Sequence, residues 1–260
     1  MRGRAAKAGA LLVALLALAG GAKAATVQQD NLRITVHSQI LPYKLPRSGT
    51  APIAVFLSGH VATPGGALPP QLQRMTILVN RHGLLQAQGL ASCPLAEIQP
   101  GSSTRAIRNC GDALVGSGRF WASIVLPDQR PYPTRGRLLI FNGKKDGKNV
   151  LYAHIFTRLP FANSFVIPFE LHHVEKGPFA TELTAAFPEA LGEWGFVDRI
   201  KLTLRRKYRA GGRQRSYFNA GCPALKGTRS ASFPLARATF SFEGRQDIGL
   251  TVTKSCGVKE

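Results

Sequence analysis

The chain has 260 residues and a formal net charge of +20 at pH 7, with 34 Lys and Arg residues against 14 Asp and Glu residues. Its length fits one large all-β domain or two small ones, and no apolar run after the N-terminus is long enough for a membrane-spanning helix. The charge favours anionic surroundings such as phosphate-rich wall polymers, acidic polysaccharide, lipid headgroups or extracellular nucleic acid, although we expect no specific nucleic-acid partner. A proteome-wide bias towards Arg, Ala, Gly and Pro is the alternative explanation.

The N-terminus has the pattern of a secretory signal peptide. Three cationic residues precede an apolar run over residues 8–19, and a small-residue cleavage site ends at Ala24. The apolar run is shorter than the ~20 residues that a membrane-spanning helix needs. We therefore predict that residues 1–24 are a cleaved signal peptide and that the protein is secreted or otherwise extracytoplasmic.

Strands with period-2 alternation account for most of the remaining chain. About a dozen short segments of this kind are separated by Gly, Pro and Asn turn signals. They begin with Leu32, Ile34 and Val36 and end near residues 248–255. One short helix is predicted between Cys93 and Cys110. The pattern is typical of an all-β fold, and we predict an antiparallel β-sandwich.

The four cysteines predict two disulfide bonds in an exported protein. Of the three possible pairings we favour the local one, Cys93 with Cys110 and Cys222 with Cys256. Chain-entropy estimates give each bond about 3 to 4 kcal/mol. A metal site is the weaker interpretation, because no two cysteines have the C-x-x-C spacing of structural zinc, and we expect no cofactor.

Two parts of the chain share a weak internal similarity. Residues 53–61 align with 165–174, residues 74–81 with 199–206, and Cys93-Pro94 with Cys222-Pro223. The offsets grow along the chain, as loop insertions would make them. We predict two similar β-sandwich units, residues 25–158 and 159–260, and chance similarity between amphipathic strands is the alternative.

Residues 199–215 combine strand, turn and charge signals. Ile200, Leu202 and Leu204 alternate with polar residues, and Ala210-Gly211-Gly212 predicts a turn, so we expect one β-hairpin. The hairpin contains no carboxylate, and we predict that it binds an anionic polymer. The candidate binding residues are Lys201, Arg205, Arg206, Lys207, Arg209, Arg213 and Arg215, with Tyr208 and Tyr217 as stacking rings. A solvated, edge-protecting strand pair is the alternative.

Other chemical sites have less support in the sequence. Glu170, His172 and His154 could form a metal or acid–base site if neighbouring strands brought them together. The carboxylates that could pair as catalytic groups are Asp128, Glu193 and Asp198, but no pattern in the sequence brings any two of them together. We therefore expect no catalytic site.

Several short motifs resemble those of uncharacterised secreted proteins from high-GC actinobacteria. The motifs are Pro70-Gln71-Leu72, Asn80-Arg81-His82-Gly83, residues 113–118, Phe141-Asn142-Gly143, Glu193-Trp194-Gly195 and Gly221-Cys222-Pro223. The resemblance implies export and a bacterial envelope setting, and it implies no activity. We predict a non-catalytic protein of the cell envelope or extracellular space that binds an anionic polymer. A ligand-free structural protein and a secreted polysaccharide hydrolase are the alternatives.

Overall fold

A computed structural model describes residues 24–125, 130–158, 162–187 and 195–259. Strands dominate these residues, and a single α-helix lies between the first two cysteines, so the predicted all-β fold and its short helix are confirmed. None of the helices in the described ranges is long and apolar enough to span a membrane. The predicted signal peptide lies outside the described residues, apart from Ala24.

The described elements are 18 strands, one α-helix and two 3₁₀ turns. The strands are β1 (Ala25–Gln29), β2 (Leu32–Leu41), β3 (Lys44–Leu45), β4 (Ala51–Pro52), β5 (Ala54–Ala62), β6 (Leu72–Asn80), β7 (Gly83–Leu85), β8 (Leu114–Ile124), β9 (Tyr132–Lys145), β10 (Lys148–Thr157), β11 (Asn163–His173), β12 (Phe179–Ala186), β13 (Gly195–Leu204), β14 (Lys207–Ala210), β15 (Arg213–Ser216), β16 (Phe218–Ala220), β17 (Ser230–Phe242) and β18 (Ile248–Val258). Helix α1 (Ser103–Cys110) lies between the 3₁₀ turns Leu95–Glu97 and Gly111–Ala113.

Thirteen of these strands form one sheet, in the order β1-β2-β5-β13-β8-β9-β10-β11-β12-β6-β17-β18-β3. Its pairs are antiparallel, except for the short parallel pair of β18 and β3. Strand β1 also contacts β18, so the sheet curls until its two ends meet. Two small sheets, β14-β15 and β4-β16-β7, complete the described structure. The main core lies on the inner side of the curl.

Residues 138–143 of β9 and 150–155 of β10 are buried on both faces of the sheet. Leu138 and Ile140 pack into the main core, whereas Leu139 and Phe141 pack on the opposite side against α1 and its neighbouring loop. Burial on both faces explains why this part of β9 is a continuous apolar run rather than an alternating one. Helix α1 begins at the N-cap Ser102, whose side chain accepts a hydrogen bond from the backbone N–H of Arg105.

Both predicted disulfide bonds are formed. Cys93 is bonded to Cys110, with 5.5 Å between their Cα atoms, and Cys222 is bonded to Cys256, with 5.8 Å. The first bond ties α1 to the outer face of β9, and the second ties β18 to the segment that precedes β17. Two such bonds indicate an oxidising, extracytoplasmic environment.

Strands from both predicted units lie in the same sheet. Strand β13 is inserted between β5 and β8, and β6 is inserted between β12 and β17. The order β2-β5-β13-β8-β9 is therefore followed by a matching order, β11-β12-β6-β17-β18. The duplication and the boundary between residues 158 and 159 stay predictions.

The predicted hairpin over residues 199–215 is wrong in one respect, because β13 does not pair with the strand that follows it. Strand β13 pairs with β5 and β8 in the large sheet. The hairpin itself is the shorter pair of β14 and β15, which turns at Gly211 and Gly212 with φ of 57° and 73°. Glycine adopts these positive φ angles at little cost.

His154 of β10 is buried beneath the loop that leads into α1. Its Nε2 lies 3.0 Å from the carbonyl oxygen of Gly101, and the side chain is fully shielded from solvent. Burial lowers the pKa of His154, because the imidazolium form loses its hydration. The neutral imidazole is therefore the form that the fold accommodates.

We expect the free energy of unfolding to fall as the pH drops below about 6.5 because of His154. Between its lowered folded-state pKa and the unfolded value of about 6.5, only the unfolded chain binds the proton. The contribution of His154 to the free energy of unfolding is therefore complete above about pH 6.5, and it is lost as the pH falls towards the lowered pKa. His154→Gln keeps an N–H donor for Gly101 and cannot titrate, so its urea midpoint should depend less on pH. Identical pH dependence in both proteins would contradict this.

Candidate polyanion-binding surface

Strand β13 presents its charged residues on the outer face of the sheet. Leu202 and the two other apolar residues of its alternation pack against the main core. Because side chains alternate along a strand, Arg199 and Lys201 face outward, and both are exposed. The strand lies inside the sheet, between β5 and β8, so these charges do not protect a sheet edge.

The register adds cations from the two following strands. Lys201 is opposite Arg119 of β8, and Arg119 is opposite Arg137 of β9. Three exposed positive side chains therefore form a row across neighbouring strands, with about 5 Å between one strand and the next. In the adjacent row, Trp121 of β8 lies between Arg199 and Arg135.

Arg205 continues the same alternation beyond β13. Its backbone N–H donates a hydrogen bond to the carbonyl of Val115, at 3.0 Å, and its side chain is exposed. We name the outward residues of this region the basic sheet face. They are Arg119, Trp121, Arg135, Arg137, Arg199, Lys201 and Arg205.

Trp121 lies at the centre of this face and is half-buried. The guanidinium carbon of Arg199 is 5.9 Å from the centroid of its ring, and Nζ of Lys201 is 6.0 Å from it. These distances are within the range of cation–π attraction. The indole ring therefore holds two of the cations next to each other.

In the strands that form and flank this face, the described residues carry little negative charge. Strands β2, β5, β13, β8 and β9 contain one carboxylate, Asp198, at the point where the register of β13 shifts. Within the described ranges, none of the six cations forms an ion pair or a side-chain hydrogen bond. By contrast, Arg47 and Arg81 donate hydrogen bonds to backbone carbonyls and so stabilise loops.

The matching strands of the other half of the sheet carry no such row. On the outer face of β12, β6 and β17, Thr76 lies opposite Thr184 and Thr239. In the adjacent row, Leu78 lies between Glu182 and Arg237. A continuous row of cations is therefore found across β13, β8 and β9 and not across β12, β6 and β17.

Tyr208 and Tyr217, which the sequence predicts as stacking rings, are buried. The hydroxyl of Tyr208 donates hydrogen bonds to the carbonyls of Gln86 and Gln88, at 2.8 and 3.1 Å. Tyr217 packs edge-on against Phe218, with 4.9 Å between ring centroids. Burial raises the pKa of both phenols. These rings belong to the core and do not face a ligand.

The predicted cationic residues fall into three groups. Lys201 and Arg205 belong to the basic sheet face. Arg206 donates a hydrogen bond to the carbonyl of Asp112, at 2.9 Å, and Arg215 donates one to Oε1 of Gln88, at 3.0 Å. The remaining three are exposed on the β14-β15 hairpin, and they are Lys207, Arg209 and Arg213.

The structure does not bring His154 together with Glu170 and His172. Glu170 is paired with Lys145 at 3.0 Å, and this ammonium group lowers the pKa of the carboxyl. His172 lies 3.8 Å from Glu170, but His154 is buried and bonded to Gly101. Among the residues with described positions, no group of three or more His, Cys, Asp or Glu side chains is arranged to hold a metal ion. Two of the candidate catalytic carboxylates, Asp128 and Glu193, lie outside the described residues.

The strand order brings together cationic residues that sequence patterns alone did not connect. Arg119, Trp121, Arg135 and Arg137 alternate on β8 and β9, but their proximity to β13 depends on pairing between distant segments. No protein-family model, curated protein or solved structure matches this chain. The function is therefore inferred from the geometry and charge of the basic sheet face.

Proposed function

We propose that this is an exported, non-catalytic protein of the cell envelope or extracellular space, which holds an anionic polymer on its basic sheet face. The row of Lys201, Arg119 and Arg137 across three adjacent strands carries the proposal. Like charges directly opposite each other destabilise a sheet. A bound polyanion would neutralise these charges and remove that repulsion, so the row is expected to be more stable with its ligand than without it.

The chemistry of the cations fits a polymer with oxyanion groups. Five of the six cations are arginines, whose planar guanidinium groups form paired hydrogen bonds with carboxylate, sulfate or phosphate. They are about 5 Å apart across the strands and about 7 Å apart along them. A face of this extent contacts several anionic groups at once, as an extended polymer would present them.

The inferred environment supplies such polymers. The two disulfides indicate an oxidising compartment, and the predicted signal peptide supports export. Anionic wall polymers and acidic polysaccharides are abundant outside the cytoplasmic membrane. The exposed cations of the hairpin, Lys207, Arg209 and Arg213, extend the positive potential that attracts them.

The triple variant Arg119→Gln, Arg137→Gln, Lys201→Gln tests this proposal. We expect its affinity for heparin and for inorganic polyphosphate to fall at least about tenfold at low salt, with a shallower dependence on salt, because fewer counterions are released on binding. Titrations at two salt concentrations measure both effects.

A matched control removes the same number of charges from another surface. Arg105 and Arg108 are exposed on α1, and Lys148 is exposed at the start of β10. The variant Arg105→Gln, Arg108→Gln, Lys148→Gln should retain most of the affinity, and both triple variants should keep the urea midpoint of the unmodified protein. Equal losses in the two variants, or no loss in either, would refute binding at the basic sheet face.

A further inference from the structure

We infer that the polymer is an anionic polysaccharide and that Trp121 stacks against one of its sugar rings. The inference rests on the proposed function and names the ligand class. Trp121 is not required to fill the core, because its neighbours Phe120 and Ala122 face inward and are buried. The indole instead lies on the outer face, half-buried, between Arg199 and Arg135.

An aromatic ring surrounded by cations matches the two kinds of surface on an acidic sugar. The C–H face of a sugar ring is apolar and packs on an indole, while its carboxylate or sulfate groups pair with guanidinium groups. Lys201 and Arg199 lie over the indole ring, 6.0 and 5.9 Å from its centroid, and Arg119 is two positions before Trp121 on the same face of β8. Inorganic polyphosphate has no apolar face, so it gains nothing from the ring.

Single-stranded nucleic acids are held by aromatic platforms that take neighbouring bases in turn. Phe196 of β13 lies opposite Ser123 of β8, one strand and two positions from Trp121 on the same face. A single-stranded oligonucleotide is therefore included as a probe, and preferential loss of its binding would indicate base stacking.

The test compares three probes on the full chain: a heparin oligosaccharide, inorganic polyphosphate and a single-stranded oligonucleotide. Trp121→Ala should weaken heparin binding about tenfold, the order found when a stacking ring is removed, and should change polyphosphate binding less than about twofold. Trp121→Phe keeps an aromatic ring and should restore most of the heparin affinity. The control Tyr43→Ala removes an exposed ring on the β2-β3 connection and should have no effect.

Each other result has a defined meaning. Equal losses for heparin and polyphosphate in Trp121→Ala would show that the ring only holds Arg199 and Lys201 in place, and this would overturn the inference while the proposed function stands. A larger loss for the oligonucleotide than for heparin would also overturn it, in favour of base stacking. If the triple variant at Arg119, Arg137 and Lys201 binds every probe normally, the proposed function fails, and the inference fails with it.

Discussion

Gly136→Ala is expected to lower the free energy of unfolding by roughly 3 kcal/mol or more, because strand β9 has no room for a methyl group at this position. A Cβ atom there would lie 2.0 Å from the carbonyl oxygen of Phe156 and 2.6 Å from the ring of Phe120. The carbonyl belongs to the neighbouring strand β10 and cannot rotate away. The three strands would have to separate locally, at the edge of the main core.

The position of Phe120 explains why glycine is needed. Phe120 is directly opposite Gly136 in the β8-β9 register, and its buried ring lies where a side chain of residue 136 would be. The ring thus covers the exposed backbone that glycine leaves in a strand and helps to fix the register. Strands β8 and β9 carry Arg119, Trp121 and Arg137. The packing of Phe120 against Gly136 therefore also holds these residues of the basic sheet face in position.

Gly249→Ala is the matched control for this experiment. Gly249 is also in a strand, β18, but a Cβ atom there would have no neighbour within 4 Å. Its effect on stability should be within about 1 kcal/mol, because alanine mainly restricts the unfolded chain. Urea denaturation of both variants gives the comparison. Equal stabilities for the two would show that the β8-β9-β10 packing tolerates the added atom.

The alternation of residues predicted which face each side chain of β13 occupies, but it could not predict the neighbouring strands. Ile200, Leu202 and Leu204 are inward as expected, because period 2 is a local property of the chain. Pairing of β13 with β5 and β8 depends on contacts with residues far away in sequence. For that reason Arg119 and Arg137 look like isolated charges in the sequence and become one row only in the fold.

Tyr208 shows why residues that are adjacent in the sequence of a strand do not share one face of the sheet. Its flanking residues Lys207 and Arg209 are exposed, whereas the tyrosine ring is buried. Side chains at successive positions of a strand face opposite sides, so an aromatic residue between two cations is separated from them. Trp121 and Arg119 are two positions apart on β8, and these two do share a face.

The disulfide pairing was predictable, because each bond closes a short segment of the chain. The same reasoning could not predict that β13 and β6 would each pair with strands from the other part of the chain. Strand β13, from residues 159–260, lies between two strands of residues 25–158, and β6 lies between two strands of the later half. The basic sheet face is therefore assembled from strands of both parts of the chain.

Replacing Cys222 and Cys256 together with serine is expected to lower the free energy of unfolding by about 4 kcal/mol, and replacing Cys93 and Cys110 by about 3 kcal/mol. The bonds join residues 34 and 17 positions apart, and the longer loop loses more conformational entropy when it is closed in the unfolded chain. All four cysteines are buried, so in either double variant two serine hydroxyl groups would have to find partners in the core.

Urea denaturation of the two double variants, with and without reductant, tests this order. In the unmodified protein, a reductant should lower the free energy of unfolding by nearly the sum of the losses in the two double variants. In each double variant, the reductant should break only the remaining disulfide and lower the free energy accordingly. The Cys222 bond ties Cys256 of β18 to the segment between β16 and β17, whereas the Cys93 bond holds α1 on the outside of β9. A smaller effect for the Cys222 pair than for the Cys93 pair would contradict the ranking.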